Sequence, residues 1–174
     1  MIALPEAVCS NGSVSARQSS HRTGDRPAPS SDTVSSQMSR MPRRDTTPEM
    51  QLRRALHARG HRYRVNVPVP GRPRRTIDIA FRRERVAVFV DGCFWHLCPD
   101  HAVLPKANGS WWEVKLLLNV TRDRDTNTSL EEHGWTVVRI WEHLSVDDAV
   151  QLVETTLAGK PAEEPSVTKH DGVL

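Results

Sequence analysis

Apolar positions concentrate between residues 46 and 157, and their spacing changes several times along that stretch. Leu52, Ala55 and Leu56 recur at helical spacing behind Thr46-Thr47-Pro48-Glu49. That tetrad supplies a threonine cap, a proline in the first turn and an acid near the positive end of the helix dipole, and Gly60 closes the element. Residues 63–69 alternate apolar with polar, as a strand does, and Pro70-Gly71-Arg72-Pro73 reads as a turn. Residues 76–81 and 86–90 form two further strands. The second is apolar throughout, which marks the buried centre of a sheet, while the first holds Asp78 between Ile77 and Ile79. After a Cys-, His- and Trp-rich loop over 91–109, a long helical stretch runs over 111–133 and ends at Gly134. Residues 135–141 alternate again, and Ser145 with Asp148 three residues on caps an amphipathic helix through Leu157. The order helix, three strands, helix, strand, helix predicts an α/β domain, a central mixed sheet flanked by helices.

This pattern divides the 174 residues into one domain over 40–158 and two tails. Residues 1–39 are rich in Ser, Pro, Thr and Arg and hold few large apolar side chains, so they are expected to be disordered when free; residues 159–174 are expected to form a second flexible tail. Hydrophobic content of 37% with 26% charged residues, and no apolar run near membrane-spanning length, predicts a globular protein with no membrane span. The opening MIALPEAVCS lacks the pattern of a secretory signal, so an intracellular, cytoplasmic protein is expected.

Charge changes the picture more than composition does. The formal net charge is +3, yet residues 40–85 hold fourteen arginines against Asp45, Glu49, Asp78 and Glu84. Beyond Trp141 seven acids face only Lys160 and Lys169. A basic half rich in arginine suits bidentate contacts to phosphate, and Arg72, Arg74, Arg75 and Lys115 are candidate DNA contacts; the alternative is a solvated arginine-rich face.

Three cysteines without a secretory signal argue against a disulfide framework. Within DGCFWHLCPDH, Cys93, Cys98 and His101 offer two sulfurs and an imidazole inside nine residues, half of a zinc site that His143, just past a strand, could complete as Cys2His2. The alternative is two buried thiols and two surface histidines. His96 is left over, on the loop that follows the central strand, where α/β proteins commonly place their sites. Asp78 is its natural metal-binding partner, unless it simply faces solvent beside an arginine. Phe94 and Trp95, with Trp111 and Trp112 opening the long helix, are either core or wedges that unstack bases.

Taken together, RRDTTPEMQLRRALHARGHRYRV, RRTIDIAFRRERVAVFVDGCFWHLCPDH, NGSWWEVKLLLNVTRDRD and GWTVVRIWEH closely resemble the Vsr family of very short patch repair endonucleases from Arg43 to His143. The resemblance implies a restriction-endonuclease-like three-layer fold, a Mg²⁺-dependent nick 5′ of the thymine of a T:G mismatch, and a structural Zn²⁺. It implies double-stranded DNA as substrate, functional association with a cytosine-C5 DNA methyltransferase and with mismatch-repair factors, and a monomer. By position, Asp78 matches the metal-binding aspartate and His96 the catalytic histidine, which would act as a base in its neutral form near pH 7. Glu49 matches the supporting acid of the first helix. Cys93, Cys98, His101 and His143 match the zinc ligands, and Phe94, Trp95 and Trp112 the aromatics inserted beside the mismatch. Val90 stands where some members have threonine, a change tolerable if its backbone carbonyl holds the metal. Asp91 stands where some have histidine, in a supporting role toward metal-bound water. No Glu-x-Lys follows Asp78, which is consistent with a histidine serving as base. Two rivals remain open at this point: a nuclease that cuts intact duplex at a recognition sequence, and a zinc-stabilised DNA-binding module without catalysis.

Overall fold

The computed structural model describes Ser36 and residues 44–159; the expectations for the two tails lie outside the described residues. The chain forms α1 (Thr47–Ala58), β1 (Arg64–Val69), β2 (Arg72–Phe81), β3 (Val86–Asp91), α2 (Gly109–Glu132), β4 (Thr136–Trp141) and α3 (Val146–Ala158). The predicted order therefore appears in full. The four strands make one sheet in the order β1-β2-β3-β4. β1 pairs antiparallel with β2 and β2 antiparallel with β3, whereas β3 and β4 run parallel, so the sheet is mixed. A parallel pair needs a long crossover, and α2 provides it.

Each face of the sheet has its own core. On one side Ile79, Phe81, Val86, Val88, Val138 and Ile140 pack against Leu52 and Leu56 of α1 and Ala149, Val150 and Val153 of α3. On the other, Val69, Ile77, Ala80, Ala87 and Phe89 pack against Leu130 of α2. β3 contributes to both cores, which is why its sequence is apolar at every position rather than alternating.

One boundary differs from expectation. β2 begins at Arg72, so Pro73 lies within a strand instead of in the turn, which tightens to Pro70 and Gly71. Pro73 is accommodated because the β1–β2 register jumps between Pro68↔Thr76 and Val69↔Arg72, leaving it in a bulge where no ladder donor is required. Gly71 takes φ +71, and a Cβ there would meet Ser129 Oγ at 3.2 Å, so the hairpin tip lies tightly on α2. Ser129 Oγ donates to the Pro70 carbonyl at 2.7 Å, and Arg72 grips Asp125 of α2 through two bonds of 3.0 and 2.8 Å. Among the described residues no helix is long and apolar enough to cross a membrane.

Candidate active site and metal cluster

Pairing between β2 and β3 runs from Phe81↔Val86 to Ile79↔Val88 and stops. One residue further along β2, the Asp78 carboxylate accepts the Val90 N–H at 3.0 Å, so a side chain takes the donor at the point where the ladder ends. Burial pushes the Asp78 carboxyl up to about 6; the Val90 N–H works against this, and the nearby carboxylates of Glu49 and Asp91 add to it. Asp78 is thus neither a solvent-facing strand residue nor the partner of a surface arginine.

The acids around it are each matched with a cation. Glu49, buried in the first turn of α1, accepts the Thr46 N–H at 3.4 Å and pairs with the guanidinium of Arg53 one helical turn on. Arg53 also donates to the Asp78 carbonyl at 3.2 Å, which ties α1 to β2. Asp91, at the end of β3 and buried, accepts two bonds from Arg139 of β4 at 2.8 and 2.7 Å. Arg139 reaches on to Asp123 of α2 at 3.3 Å.

His96 Nδ1 lies 2.6 Å from Asp123 Oδ2 and 3.6 Å from Asp91 Oδ1. Burial works to lower the His96 pKa, but the bond to Asp123 and the charge of Asp91 outweigh it, and the pKa stands above its ordinary value. The two carboxylates that face His96 thus favour its charged form. The same bond and Arg139 hold the Asp123 carboxyl down against the opposing effect of burial.

On the loop after β3, tight backbone bonds from the His96 N–H to the Gly92 carbonyl (3.1 Å) and from the Cys98 N–H to the Cys93 carbonyl (2.9 Å) fold the two cysteines onto one side. Glu142, just past β4, accepts the Cys93 N–H at 2.7 Å and brings the neighbouring His143 over the loop. The donor atoms of Cys93, Cys98, His101 and His143 all lie within 4.8 Å of one another. Cys93 Sγ is 3.1 Å and Cys98 Sγ 3.7 Å from His143 Nδ1, Cys98 Sγ is 3.8 Å from His101 Nδ1, and the two Nδ1 atoms are 3.2 Å apart. Tetrahedral sulfur and nitrogen ligands at roughly 2.0–2.3 Å from an ion are about 3.3–3.8 Å from each other, close to this spacing. Burial, then proximity to Cys98, pushes the Cys93 thiol up to about 11. The quartet could hold a metal ion, and a cation among these sulfurs would offset the cost of ionising them.

Phe94, Trp95 and Trp112 form a half-buried aromatic group with ring centroids 5.1, 5.3 and 6.0 Å apart, and Trp111 stacks edge-on against Trp112 at 4.8 Å. The group belongs to neither core. Lys115 and Arg74 are exposed. Arg72 and Arg75 are engaged instead: Arg75 pairs with Asp125 at 2.7 Å and reaches Thr126 Oγ1 at 2.8 Å, so both arginines bind the hairpin to α2.

Asp123, Arg139, Arg53 and Asn119 were not singled out in the sequence. Asn119, one turn before Asp123, donates to the Trp95 carbonyl at 3.1 Å. The spacing of Asn119 and Asp123 sets both on one side of the helix, but that spacing alone does not mark them out, and nothing local marks Arg53 or Arg139.

Comparison with known proteins agrees with this geometry. The family model for the DNA mismatch endonuclease Vsr matches residues 30–100, which include Asp78 and the loop through Cys98. The chain is a DNA endonuclease. It is 45% identical over 148 residues to the type II nicking enzyme V.NaeI of Lentzea aerocolonigenes, covering 82% of this chain and 87% of that protein. To the DNA mismatch endonuclease Vsr of Escherichia coli (strain K12) it is 36% identical over 114 residues, covering 63% of this chain and 69% of the relative. The type II nicking enzyme V.XorIIP of Xanthomonas oryzae pv. oryzae is 36% identical over 104 residues, with 57% and 71% covered. The chain belongs to the Vsr family and acts on DNA as a strand-nicking enzyme.

Proposed function

We propose that this enzyme nicks duplex DNA 5′ of the thymine in a T:G mismatch and so opens very short patch repair. The observation that carries the reading is the isolation of Asp78. Among the described residues Glu49, Asp91 and Asp123 each make an ion pair, whereas Asp78, half-buried beside them, accepts only a backbone N–H. A raised carboxyl pKa in that setting fits a residue whose natural partner is a cation, and Asp78 with the Val90 carbonyl would hold Mg²⁺. Bound there, the ion would neutralise charge developing on the scissile phosphate. The surrounding mixed sheet, with helices on both faces, is the setting of a restriction-endonuclease-like core.

The chain's own residues supply the remainder. Asp123 holds the Nδ1 side of His96, which leaves Nε2 as the base that takes a proton from the attacking water. Asp91 and Arg139 keep Asp123 and His96 in register. Glu49 supports the site through Arg53. Phe94, Trp95 and Trp112 enter the base stack, at a cost of a few kcal/mol that is least where pairing is already weak. Lys115 and Arg74 meet phosphate; Arg72 and Arg75 do so only by sharing or leaving Asp125. The Cys/His quartet, with all four positions filled by protein, is a structural Zn²⁺ site. Because T opposite G arises when 5-methylcytosine deaminates, a cytosine-C5 methyltransferase is the functional companion, and mismatch-repair factors act on the nicked product. One monomer carries the whole site.

The test is single-turnover nicking of a labelled T:G duplex against the matched T:A duplex of the same sequence, with Mg²⁺ or with chelator. Mg²⁺-dependent nicking confined to T:G is expected. Equal cutting of both duplexes would make the enzyme a sequence-reading nuclease. Binding without any product would make it a DNA-binding module.

A further inference from the structure

The β1–β2 ladder pairs Val65 with Ile79 and Val67 with Ile77, which sets Asn66 directly opposite Asp78. Both strands are irregular at this level. Ile77 packs in the core under α2 and Ile79 in the core under α1 and α3, so β2 changes face across Asp78. Asn66 takes φ +52 in the middle of its strand, a left-handed backbone that asparagine tolerates but that costs of order 1 kcal/mol for a residue other than glycine.

Among the described residues two buried side-chain polar atoms lack a hydrogen-bond partner, Asn66 Oδ1 and Arg53 Nε. Arg53 is the residue that donates to the Asp78 carbonyl, and Asn66 is the cross-strand neighbour of Asp78, so both orphans belong to residues that flank Asp78 in the fold. A buried acceptor without a donor costs about 1–3 kcal/mol, and a strained backbone holds it there. A donor on the Asp78 side of this ladder would meet the negative field of that carboxylate, to which Glu49 and Asp91 lie near. A phosphate oxygen cannot satisfy it, because phosphate offers acceptors only. A hydrated cation satisfies both the oxygen and the field, and carboxamide oxygens are ordinary hard neutral partners for such ions.

We propose that Asn66 is a further positioning residue of the Asp78 site, its carboxamide oxygen accepting a hydrogen bond from the water shell of a divalent cation held there. The inference rests on the cation reading of Asp78 given above. The left-handed backbone aims the amide, and the β1 edge strand thereby contributes to a site otherwise built from β2, β3 and α1.

Mn²⁺ binding to the zinc-loaded full chain, followed by the loss of the free-ion electron paramagnetic resonance signal, tests it without any turnover. Asn66→Gly keeps the left-handed backbone at no steric cost and removes the amide. It should melt like the parent in chelator-treated buffer and bind Mn²⁺ about tenfold more weakly. Asn66→Asp, which adds charge at the same place, should bind more tightly than the parent. Asp78→Asn should abolish binding. Parental Mn²⁺ affinity in Asn66→Gly overturns the role of Asn66 while leaving the cation at Asp78 intact. Retained binding in Asp78→Asn overturns the cation reading itself and this inference with it.

Discussion

Two clusters of ionisable groups lie on either side of the end of β3, and they are built on opposite plans. In the Cys/His quartet three ligands from one loop meet a fourth from beyond β4, with no arginine or lysine of the described residues among their hydrogen-bond partners. In the carboxylate site three of four acids are locked to Arg53, Arg139 or His96, and only Asp78 is left over. A closed shell of protein ligands leaves no position for a substrate atom, whereas a single half-buried carboxylate leaves most of an ion's coordination sphere for water and phosphate. The first plan suits holding a loop, the second suits chemistry. The difference lies less in which residues are present than in which have already been neutralised by a neighbour.

The sharpest way to break this comparison is Asp78→Asn. Nicking should fall by several orders of magnitude, on the scale expected when a metal site is lost, with zinc content unchanged. The same substitution should make the Mg²⁺-free protein more stable at neutral pH. The folded Asp78 value of about 6 stands above its ordinary 3.8, so the native state holds a proton that the unfolded chain has released between those values. Stability therefore declines as pH rises from about 4 to about 6 and stays at the lower level above, and Asn removes that loss, roughly 3 kcal/mol. Chemical denaturation at pH 4 and pH 7.5 in chelator checks the sign; a gap between parent and variant that is larger at pH 4 would contradict it.

Next in size is His143→Ala, which opens the closed shell. Zinc content should drop and the melting transition should shift down, with a loss of several kcal/mol, because a metal held there would link two segments 42 residues apart. Full zinc with parental melting would remove the distinction between the clusters. His96→Ala should slow nicking by roughly 10²-fold, the usual scale for a general base, while binding of the T:G duplex and zinc content persist. A near-parental nicking rate in a zinc-replete variant would displace His96 from the mechanism. The smallest effect expected is on Trp95→Ala: about 1–3 kcal/mol weaker binding of the T:G duplex, with a nearly unchanged salt slope. An equal loss on matched duplex would make Trp95 a packing residue only.

How far the molecule was legible in its sequence depends on whether a feature is local. The helix starts, the uniformly apolar β3 and the short Cys93–His101 ligand spacing are written in neighbouring residues, and all appear where periodicity and capping placed them. His143 was legible because it follows a recognisable strand by two residues. Asp123 and Arg139 were not, because in TRDRD and TVVRI they look like ordinary solvated charges. Their meaning comes from the parallel register of Phe89↔Arg139 and Asp91↔Trp141, which no local pattern encodes. Arg72 and Arg75 show the complementary limit. Their charge suggested phosphate, while the hairpin geometry supplied Asp125 as a nearer partner. Pro73 read as a turn because proline is a reliable breaker only where a ladder donor is needed, and the bulge removes that need.

Helix α2 carries Trp112 near its start and Asp123 eleven residues on, which is about three turns and roughly 16 Å of rise. The two side chains consequently emerge from nearly the same side of one stiff rod, with the hairpin pinned to that rod just beyond by Arg72, Arg75 and Asp125. On the function proposed above, such a rod would act as a caliper between the point where a base pair is pried apart and the point where the strand is cut. One extra residue between them would lengthen it by only about 1.5 Å but turn one jaw about 100° away from the other. On that function the phase of the helix, more than its length, would set where along the DNA the break falls.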